Sequence, residues 1–249
     1  NREVPLMTET RTETEWLRSL RPLALLATGR TGADIERLVR EVRRRASRAG
    51  RPIAWIDLEE ALRDRAGEVS DELHWRMAVH EAGHAVAYIL LDVGEVETVM
   101  IGTPQGGKVL ARVNQEALQM ENGLMRLMAC ILAGRAAETI HFDAVLVGSG
   151  GNPESDLARA TALAVDAETT LGLSQDRPLL YRPPGGSDAL VYNPQLTERV
   201  NARLEAAMET AMTLLRDNQE TLLAIAQELN EHRLLDGEQV RALAVQGSR

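Results

Sequence analysis

Apolar residues recur every three to four positions along most of the chain, the spacing that places them on one face of a helix. Two such runs lie near the N-terminus, and both carry arginines on the opposite face. The first, residues 31–50, begins with Thr31 and Asp34 in the arrangement of a capping box. The second, residues 57–67, has Asp57 as its predicted cap. Together they indicate a small helical segment that ends near residue 67.

From residue 70 onwards the predicted helices become longer and more apolar. A hairpin interrupts them, because the β-branched runs 96–101 and 108–113 flank the turn-forming sequence GTPQGG. The chain is therefore predicted to be mainly α, with a helical domain and a small β-hairpin or sheet at 68–249, preceded by the helical segment at 1–67. The helices predicted in the second domain cover residues 71–92, 122–142, 156–172 and 195–244, the last of these with breaks near Asn218 and Gly237.

Charge and composition exclude several kinds of partner and site. The 249 residues carry a formal net charge of −9, whereas nucleic-acid binding depends on clustered positive charge. Aromatic residues make up only 3% of the chain, too few for a platform on which bases stack. Cys130 is the single cysteine, which leaves no disulfide framework and no cysteine cluster for zinc. Nucleic acid is therefore not expected as a partner, and a metal site would have to use histidine and carboxylate.

The sequence HEAGH at residues 80–84 carries the clearest chemical signal. Residues four apart lie one turn above each other on a helix, so the imidazoles of His80 and His84 can reach one ion. Glu81 then lies beside the open coordination position, where it can take a proton from the attacking water. Zinc suits this arrangement because a catalytic zinc site has three protein ligands and one open position.

A buried helix with two hydrogen-bonded histidines is the competing interpretation, since the HExxH pattern also occurs by chance. The surroundings favour a site. Burying two imidazoles and a carboxylate in a helix rich in alanine and valine is costly unless they are paired or bound to metal. Gly83, which lies between the histidines, costs about 1 kcal/mol in a helix interior and so indicates a close backbone approach at that turn.

A third zinc ligand has to come from elsewhere, because Leu90 stands where an extended motif would have a third histidine. The downstream candidates are Glu138, His141, Asp143 and Asp156. Asp156 has the best physical case, because it follows a glycine-rich loop and opens a helix, where a carboxylate can be held in place. The same position also suits an ordinary aspartate that is stabilised by the helix dipole. The residues alone leave these two interpretations open.

The turn of the hairpin partly matches a phosphate-binding loop, because Gly102, Gly107 and Lys108 have its spacing. Val109 stands where Ser or Thr would hold magnesium, and a strand follows where a helix is needed. We therefore expect a hairpin and no nucleotide site. An edge strand of this kind could instead pair with an extended peptide.

The sequence HEAGHAVAYILL is followed by ILAGRAAETIHF, then by SDLARATALAV and LGLS, and finally by NQETLLAIAQELNEHRLLDGEQV. In this order and combination, the stretches resemble the peptidase domain of the FtsH family of AAA+ zinc proteases. Upstream, TGRTGADIERLVREVRRRA and IDLEEALR resemble the helical lid that ends the ATPase module of that family. Together these stretches cover most of residues 28–245.

The resemblance implies a zinc-dependent endopeptidase. Carried over residue by residue, it implies that His80, His84 and Asp156 bind zinc and that Glu81 is the general base. It makes residues 1–67 a lid-like segment of an AAA+ module without its ATPase core. Residues 68–249 become the peptidase domain. No other cofactor-binding residue is expected, and ATP with Mg2+ would bind only in an ATPase core outside this sequence.

The resemblance also implies unfolded or disordered proteins as substrates and a homo-hexamer as the assembly. It implies a location on the cytoplasmic side of a membrane, with anchoring only through segments of a longer parent chain. A free-standing relative is the alternative. The rival function is a catalytically silent zinc-binding assembly or adaptor domain, and the intact Glu81 favours the enzyme because a structural site needs no base there.

Overall fold

The computed structural model of the chain describes residues 20, 23–24, 26–27, 30–63, 70–103, 106–183 and 188–246. These residues fall into two compact units. The first contains the described residues up to His74 together with the described part of 102–106, and the second contains residues 75–101 and those from Gly107 onwards. The described chain is mainly helical and has one small sheet, which confirms the predicted fold class.

In the first unit, helix α1 (Gly32–Arg48) begins with the predicted capping box. The Thr31 hydroxyl accepts a hydrogen bond from the backbone N–H of Asp34, and the Asp34 carboxylate accepts one from the backbone N–H of Thr31. These bonds satisfy N–H groups at the start of the helix that have no partner within it. The apolar face of α1 packs into a small core of buried residues: Leu23, Leu38, Val42 and Leu62.

Helix α2 (Trp55–Arg63) begins two residues before Asp57, so the prediction that Asp57 caps this helix from outside was wrong. The Asp57 carboxylate instead reaches back from the first turn and accepts a hydrogen bond of 2.7 Å from the backbone N–H of Ala54. It also pairs with the Arg51 guanidinium at 2.6 Å. These bonds from Arg51 and Ala54 lower the pKa of Asp57 to about 2. The predicted stop at Gly67 lies outside the described residues.

The remaining helices build the second unit around one apolar core. α4 packs against α5 and α7, and α5 also packs against α7. No helix in the described part of the chain combines the length and apolar character needed to cross a membrane. The helices are α3 (Asp71–Leu90), α4 (Glu121–Phe142), α5 (Asp156–Thr169), α6 (Asp188–Val191), α7 (Pro194–Asp217), α8 (Gln219–His232) and α9 (Gly237–Gln246), with short 3-10 turns at Ala117–Gln119 and Val147–Ser149.

Helices α3 and α4 approach closely at Gly83. A Cβ atom on Gly83 would lie 2.5 Å from the carbonyl oxygen of Ala133 and 2.7 Å from the Cβ of Ala137. A side chain therefore cannot be accommodated there without separating the helices. The predicted close backbone approach at Gly83 is confirmed, and it brings the turn that carries His80 and His84 against α4.

The sheet contains the predicted hairpin and one strand that was not predicted. β1 (Gly94–Thr103) lies between β2 (Gly106–Val113) and β3 (Leu234–Asp236). β3 runs antiparallel to β1, with Val99 opposite Leu235. Three residues are too few to show the alternation of a strand, so β3 could not be recognised in the C-terminal helical pattern. Within the described residues, this order leaves β2 at the edge of the sheet.

A buried carboxylate ties α5 to α7. The side chain of Glu168 is 4% exposed and accepts hydrogen bonds from Nε of Arg199 at 2.8 Å and from Nε of Arg203 at 2.7 Å. Arg203 also donates to the carbonyl oxygen of Leu173, which follows α5. Burial raises the pKa of Glu168, but the bonds from the two arginines outweigh it and lower the pKa below its usual value. The two guanidinium groups therefore keep this buried carboxylate charged.

Candidate metal centre

The two histidines of HEAGH turn their ring tips toward each other on the inner face of α3. The Nε2 atoms of His80 and His84 lie 3.1 Å apart. Both rings are largely buried, as expected for polar residues set in an apolar helix that packs on its neighbours. The four-residue spacing thus places both nitrogens at one point, as the helical geometry requires.

Asp156 brings a carboxylate to the same point. Its Oδ2 atom lies 3.2 Å from Nε2 of His80 and 3.3 Å from Nε2 of His84. The residue occupies the first turn of α5, directly after Ser155, whose hydroxyl accepts a hydrogen bond from the backbone N–H of Ala158 and so caps the helix. Among the described residues, His80, His84 and Asp156 are the one group whose side chains could jointly hold a metal ion.

The Nδ1 atoms of His80 and His84 form hydrogen bonds with residues of α4. Nδ1 of His84 lies 2.8 Å from the carbonyl oxygen of Cys130, and Nδ1 of His80 lies 2.6 Å from Oε1 of Glu138. A carbonyl oxygen can only accept, so Nδ1 of His84 carries the proton. The carboxylate of Glu138 fixes the ring of His80 in the same way. In the neutral rings, both Nε2 atoms therefore present lone pairs.

Two lone pairs and a carboxylate oxygen that converge within 3.3 Å require a cation between them. Zinc fits this group, because bonds of about 2.0–2.2 Å in a tetrahedron separate the ligand atoms by roughly 3.3–3.6 Å. His80, His84 and Asp156 would supply three ligand atoms and would leave a fourth position for water or substrate. The donor set of two imidazoles and one carboxylate is also that of catalytic zinc sites.

Without metal, a proton serves as that cation. Burial lowers the pKa of His80, but the hydrogen bonds with Asp156 and Glu138 outweigh it and raise the pKa to about 10. Burial likewise raises the pKa of Asp156, while its bonds with His80 and His84 hold that pKa well below its usual range. In the metal-free protein, His80 is therefore protonated and carries a positive charge at neutral pH.

One stripe of α4 forms the floor of the site. Cys130, Gly134 and Glu138 follow each other at intervals of four residues, so they lie on one face of the helix. A Cβ atom on Gly134 would lie 2.5 Å from Nε2 of both His80 and His84. The missing side chain at Gly134 therefore provides the room that the two ring tips occupy.

The same helix holds the loop that leads to Asp156. Both carboxylate oxygens of Glu138 are used, because the second one accepts a hydrogen bond from the backbone N–H of Leu146. Nη1 of Arg135 donates to the hydroxyl of Ser149 at 3.2 Å. Glu138 thus orients a ring of the metal site and anchors the loop before the third candidate ligand.

Glu81 is a buried carboxylate beside the site. Its side chain is 6% exposed and lies against the backbone of Gly107 in β2. Burial raises the pKa of Glu81, and the nearby histidines only partly offset this effect. A carboxylate whose pKa is raised toward neutrality is well suited to take up and release a proton.

The structure does not bring the other sequence candidates into the group of ligand atoms. Glu138 contacts the Nδ1 side of His80, away from the Nε2 atoms. His141 packs edge-on against Trp75 and Phe142, with ring centroids 5.6 Å and 4.7 Å away. Asp143 adopts a left-handed backbone conformation and ends α4. Burial raises the pKa of the Cys130 thiol to about 12, so only the backbone carbonyl of that residue serves the site.

The glycines that shape the site are not among the residues predicted from the sequence. Gly134 lies within AGRAAE, which carries the family resemblance, and Gly107 lies in the turn whose spacing matches a phosphate loop. A helix interior with a glycine four residues before a glutamate is a signal that could have identified Gly134, since glycine is unfavourable there without a packing reason. No local signal identifies Gly107, because its contact with Glu81 joins two elements that are separate in sequence.

Comparison with known proteins gives one consistent result. The sequence model of peptidase family M41 matches residues 68–243. The chain is 32% identical to the ATP-dependent zinc metalloprotease FtsH of Streptobacillus moniliformis, over 92% of this chain and 35% of that protein. It is 29% identical to FtsH of Rubrobacter xylanophilus, over 86% of this chain and 36% of that protein. It is 31% identical to FtsH 1 of Sorangium cellulosum, over 89% of this chain and 39% of that protein. The chain thus spans little more than a third of the length of these relatives.

Proposed function

Because the chain belongs to peptidase family M41 and is a zinc metallopeptidase of the FtsH type, we propose that His80, His84 and Asp156 hold the zinc ion and that Glu81 is the general base. The observation that carries this assignment is the convergence of the three ligand atoms within 3.3 Å of one another. The donor types, the separations of the atoms and the room left by Gly134 all support zinc at this point.

The chemistry divides between the metal and the side chains. When bound, zinc polarises the peptide carbonyl and makes water more acidic. Glu81 takes a proton from the attacking water and returns it to the nitrogen of the leaving amine. Glu138 and the carbonyl oxygen of Cys130 keep the rings of His80 and His84 in the orientation that zinc binding needs.

An extended peptide is proposed to pair with the edge strand β2 during cleavage. Strands at the edge of a sheet present unpaired N–H and C=O groups to a peptide backbone. Gly107 of this strand lies against Glu81, so a peptide paired with β2 would run close to the base. Recognition through the backbone suits substrates that are unfolded or disordered polypeptides.

The remaining assignments rest on the relatives. We propose that residues 1–67 are a lid-like segment of an AAA+ module and that 68–249 form the peptidase domain, which the family match from residue 68 supports. The relatives are named as ATP-dependent proteases. We therefore propose that this chain works with an ATPase core as a homo-hexamer, on the cytoplasmic side of a membrane to which a longer parent chain is anchored.

Cleavage of casein by the purified, zinc-loaded chain tests the proposed function. We expect cleavage by the wild-type chain, loss of at least about 100-fold in the Glu81→Gln variant, and loss on chelation that is reversed by added zinc. Glu72→Gln is the matched control, because Glu72 lies at the exposed start of the same helix and should leave the rate unchanged.

A catalytically silent zinc-binding adaptor is the second candidate function. Zinc content alone does not separate it from the enzyme, since both would bind the metal. Wild-type chain with one zinc ion bound but with no more cleavage than Glu81→Gln would contradict peptidase activity of this chain on its own, and would leave either the adaptor or a peptidase that depends on its ATPase core.

A further inference from the structure

Gly107 and Glu81 are in direct contact, although they lie on different elements. A Cβ atom on Gly107 would lie 2.4 Å from Oε1 of Glu81 and 2.7 Å from its Cδ. The Cα of Gly107 is therefore packed directly against the carboxylate. From this contact we infer that Gly107 is a positioning residue for Glu81, an inference that rests on the proposed role of Glu81 as the base.

The backbone of β2 does not itself require glycine at this position. Gly102 and Gly106, in the same hairpin, have φ angles of +78° and +101°, which favour glycine. Gly107 is not among the residues with positive φ, so alanine can adopt its backbone conformation. The need for a missing side chain at Gly107 therefore comes from Glu81.

The contact of Gly107 differs in kind from the tight contacts of Gly83 and Gly94. At Gly83 and Gly94 a Cβ would meet backbone atoms, which cannot move without shifting a helix or a strand. At Gly107 it would first meet the side chain of Glu81, whose Cγ, Cδ and Oε1 would lie 2.5, 2.7 and 2.4 Å away. An alanine at 107 would therefore be accommodated by rotation of the Glu81 side chain from Cγ onwards, which displaces the carboxylate and requires no shift of a helix or strand.

Displacement of the base would slow the reaction without affecting the metal. A shift of about 1 Å in a catalytic group can lower turnover on the order of 100-fold. The three atoms nearest to a Cβ at position 107 all belong to Glu81, so the base is the first group that the added methyl would displace. An extended peptide would pair with the backbone of β2, which alanine retains, so KM should change little.

The experiment compares Gly107→Ala with two variants and the wild type. Gly94→Ala is the matched control, because Gly94 lies at the other end of the same hairpin and its Cβ would meet the carbonyl oxygen of Arg112 at 2.7 Å. Glu81→Gln removes the base and so gives the rate that remains without it. Each zinc-loaded chain is assayed for kcat and KM with an unstructured fluorogenic peptide, for bound zinc and for the melting temperature, and the crystal structure of Gly107→Ala is determined.

We expect Gly107→Ala to lower kcat on the order of 100-fold, with KM within about twofold, one zinc ion bound and a melting temperature near that of the wild type. Its crystal structure should show the Glu81 carboxylate displaced. Gly94→Ala should lower the melting temperature and leave kcat unchanged in the folded protein.

Two kinds of outcome would overturn the inference, one in the kinetics and one in the structure. One is Gly107→Ala with normal kcat while Glu81→Gln is inactive, since the base would then not depend on the glycine. The other is an unfolded Gly107→Ala chain, or an unmoved Glu81 in its crystal structure, since the contact would then be structural. Full activity of Glu81→Gln would instead contradict the proposed function itself, and the two failures are therefore distinguishable.

Discussion

Nδ1 of His80 lies 2.6 Å from Oε1 of Glu138, so α4 controls a candidate zinc ligand without supplying a ligand atom of its own. Glu138 is fully buried, and its second oxygen accepts a hydrogen bond from Leu146. The carboxylate thus couples the orientation of an imidazole to the loop that ends at Asp156. Three of the following predictions concern how this arrangement controls the metal.

Glu138→Gln is expected to weaken zinc binding about 10- to 100-fold. Both oxygens of Glu138 accept hydrogen bonds, one from His80 and one from Leu146. The glutamine side chain has an oxygen that accepts and an NH2 group that donates. In the variant, the NH2 group would therefore point at an N–H donor of either His80 or Leu146. Competition with a chromophoric chelator measures the affinity. Glu209→Gln, at an exposed position of α7, is the control, and equal affinities for the two variants would contradict the role of Glu138.

Gly134→Ala is expected to abolish stoichiometric zinc binding. The added methyl group would lie 2.5 Å from both Nε2 atoms, so His80 and His84 could no longer bring these atoms to one point. Metal analysis of the purified variant measures the effect, and circular dichroism establishes that the helices persist. Gly148→Ala, where a Cβ meets nothing within 4 Å, should retain one zinc ion. Retention of zinc by Gly134→Ala would show that the rings of His80 and His84 can accommodate the methyl group, and it would contradict the prediction.

Zinc binding is expected to release about one proton at pH 8. In the protein without metal, hydrogen bonds with Asp156 and Glu138 outweigh the opposing effect of burial and raise the pKa of His80 to about 10. Its ring is therefore protonated at pH 8, while zinc needs the neutral form. The apparent affinity should rise with pH up to about 10 and fall as pH is lowered.

Isothermal titration calorimetry in two buffers of different ionisation enthalpy gives the number of protons released. Binding without proton release at pH 8, or an affinity that does not change between pH 7 and pH 9, would contradict the elevated pKa of His80.

The sequence predicted those features of the site that depend on local spacing. His80 and His84 share a helix face because they are four residues apart, and Gly83 indicated a close helix crossing that the structure confirms. Among four downstream candidates Asp156 has the best physical case, but the residues alone leave open whether it binds zinc or only favours the start of a helix, and the resemblance to a known family is what implies the zinc ligand. A carboxylate distant in sequence reaches the histidines through packing of α5 against α4, which no local pattern encodes.

Other features were invisible in the sequence for the same reason. Glu138 is a candidate zinc ligand by sequence, but the packing of α4 against α3 places its carboxylate at Nδ1 of His80. The strand β3 exists only because it pairs with β1. Glu168 is charged and would be expected at the surface, and its burial depends on two arginines more than 30 positions along the chain.

Glu168→Gln is expected to destabilise the protein by about 3 kcal/mol. The substitution removes the buried negative charge with which Arg199 and Arg203 pair. Urea unfolding of the metal-free chain measures the free energy of unfolding. The exposed pair of Glu209 and Arg216 is the control, and its removal should cost less than about 1 kcal/mol. A similar small loss for Glu168→Gln would show that the buried pairs make no net contribution.

The position of the bound zinc decides whether His80, His84 and Asp156 are the ligands. Crystals of the zinc-loaded chain, measured on both sides of the zinc absorption edge, give that position from the anomalous difference map. We expect one peak at about 2.0–2.2 Å from Nε2 of His80, Nε2 of His84 and a carboxylate oxygen of Asp156. A peak bound by Glu138 in place of Asp156, or no peak beside the two histidines, would contradict this assignment.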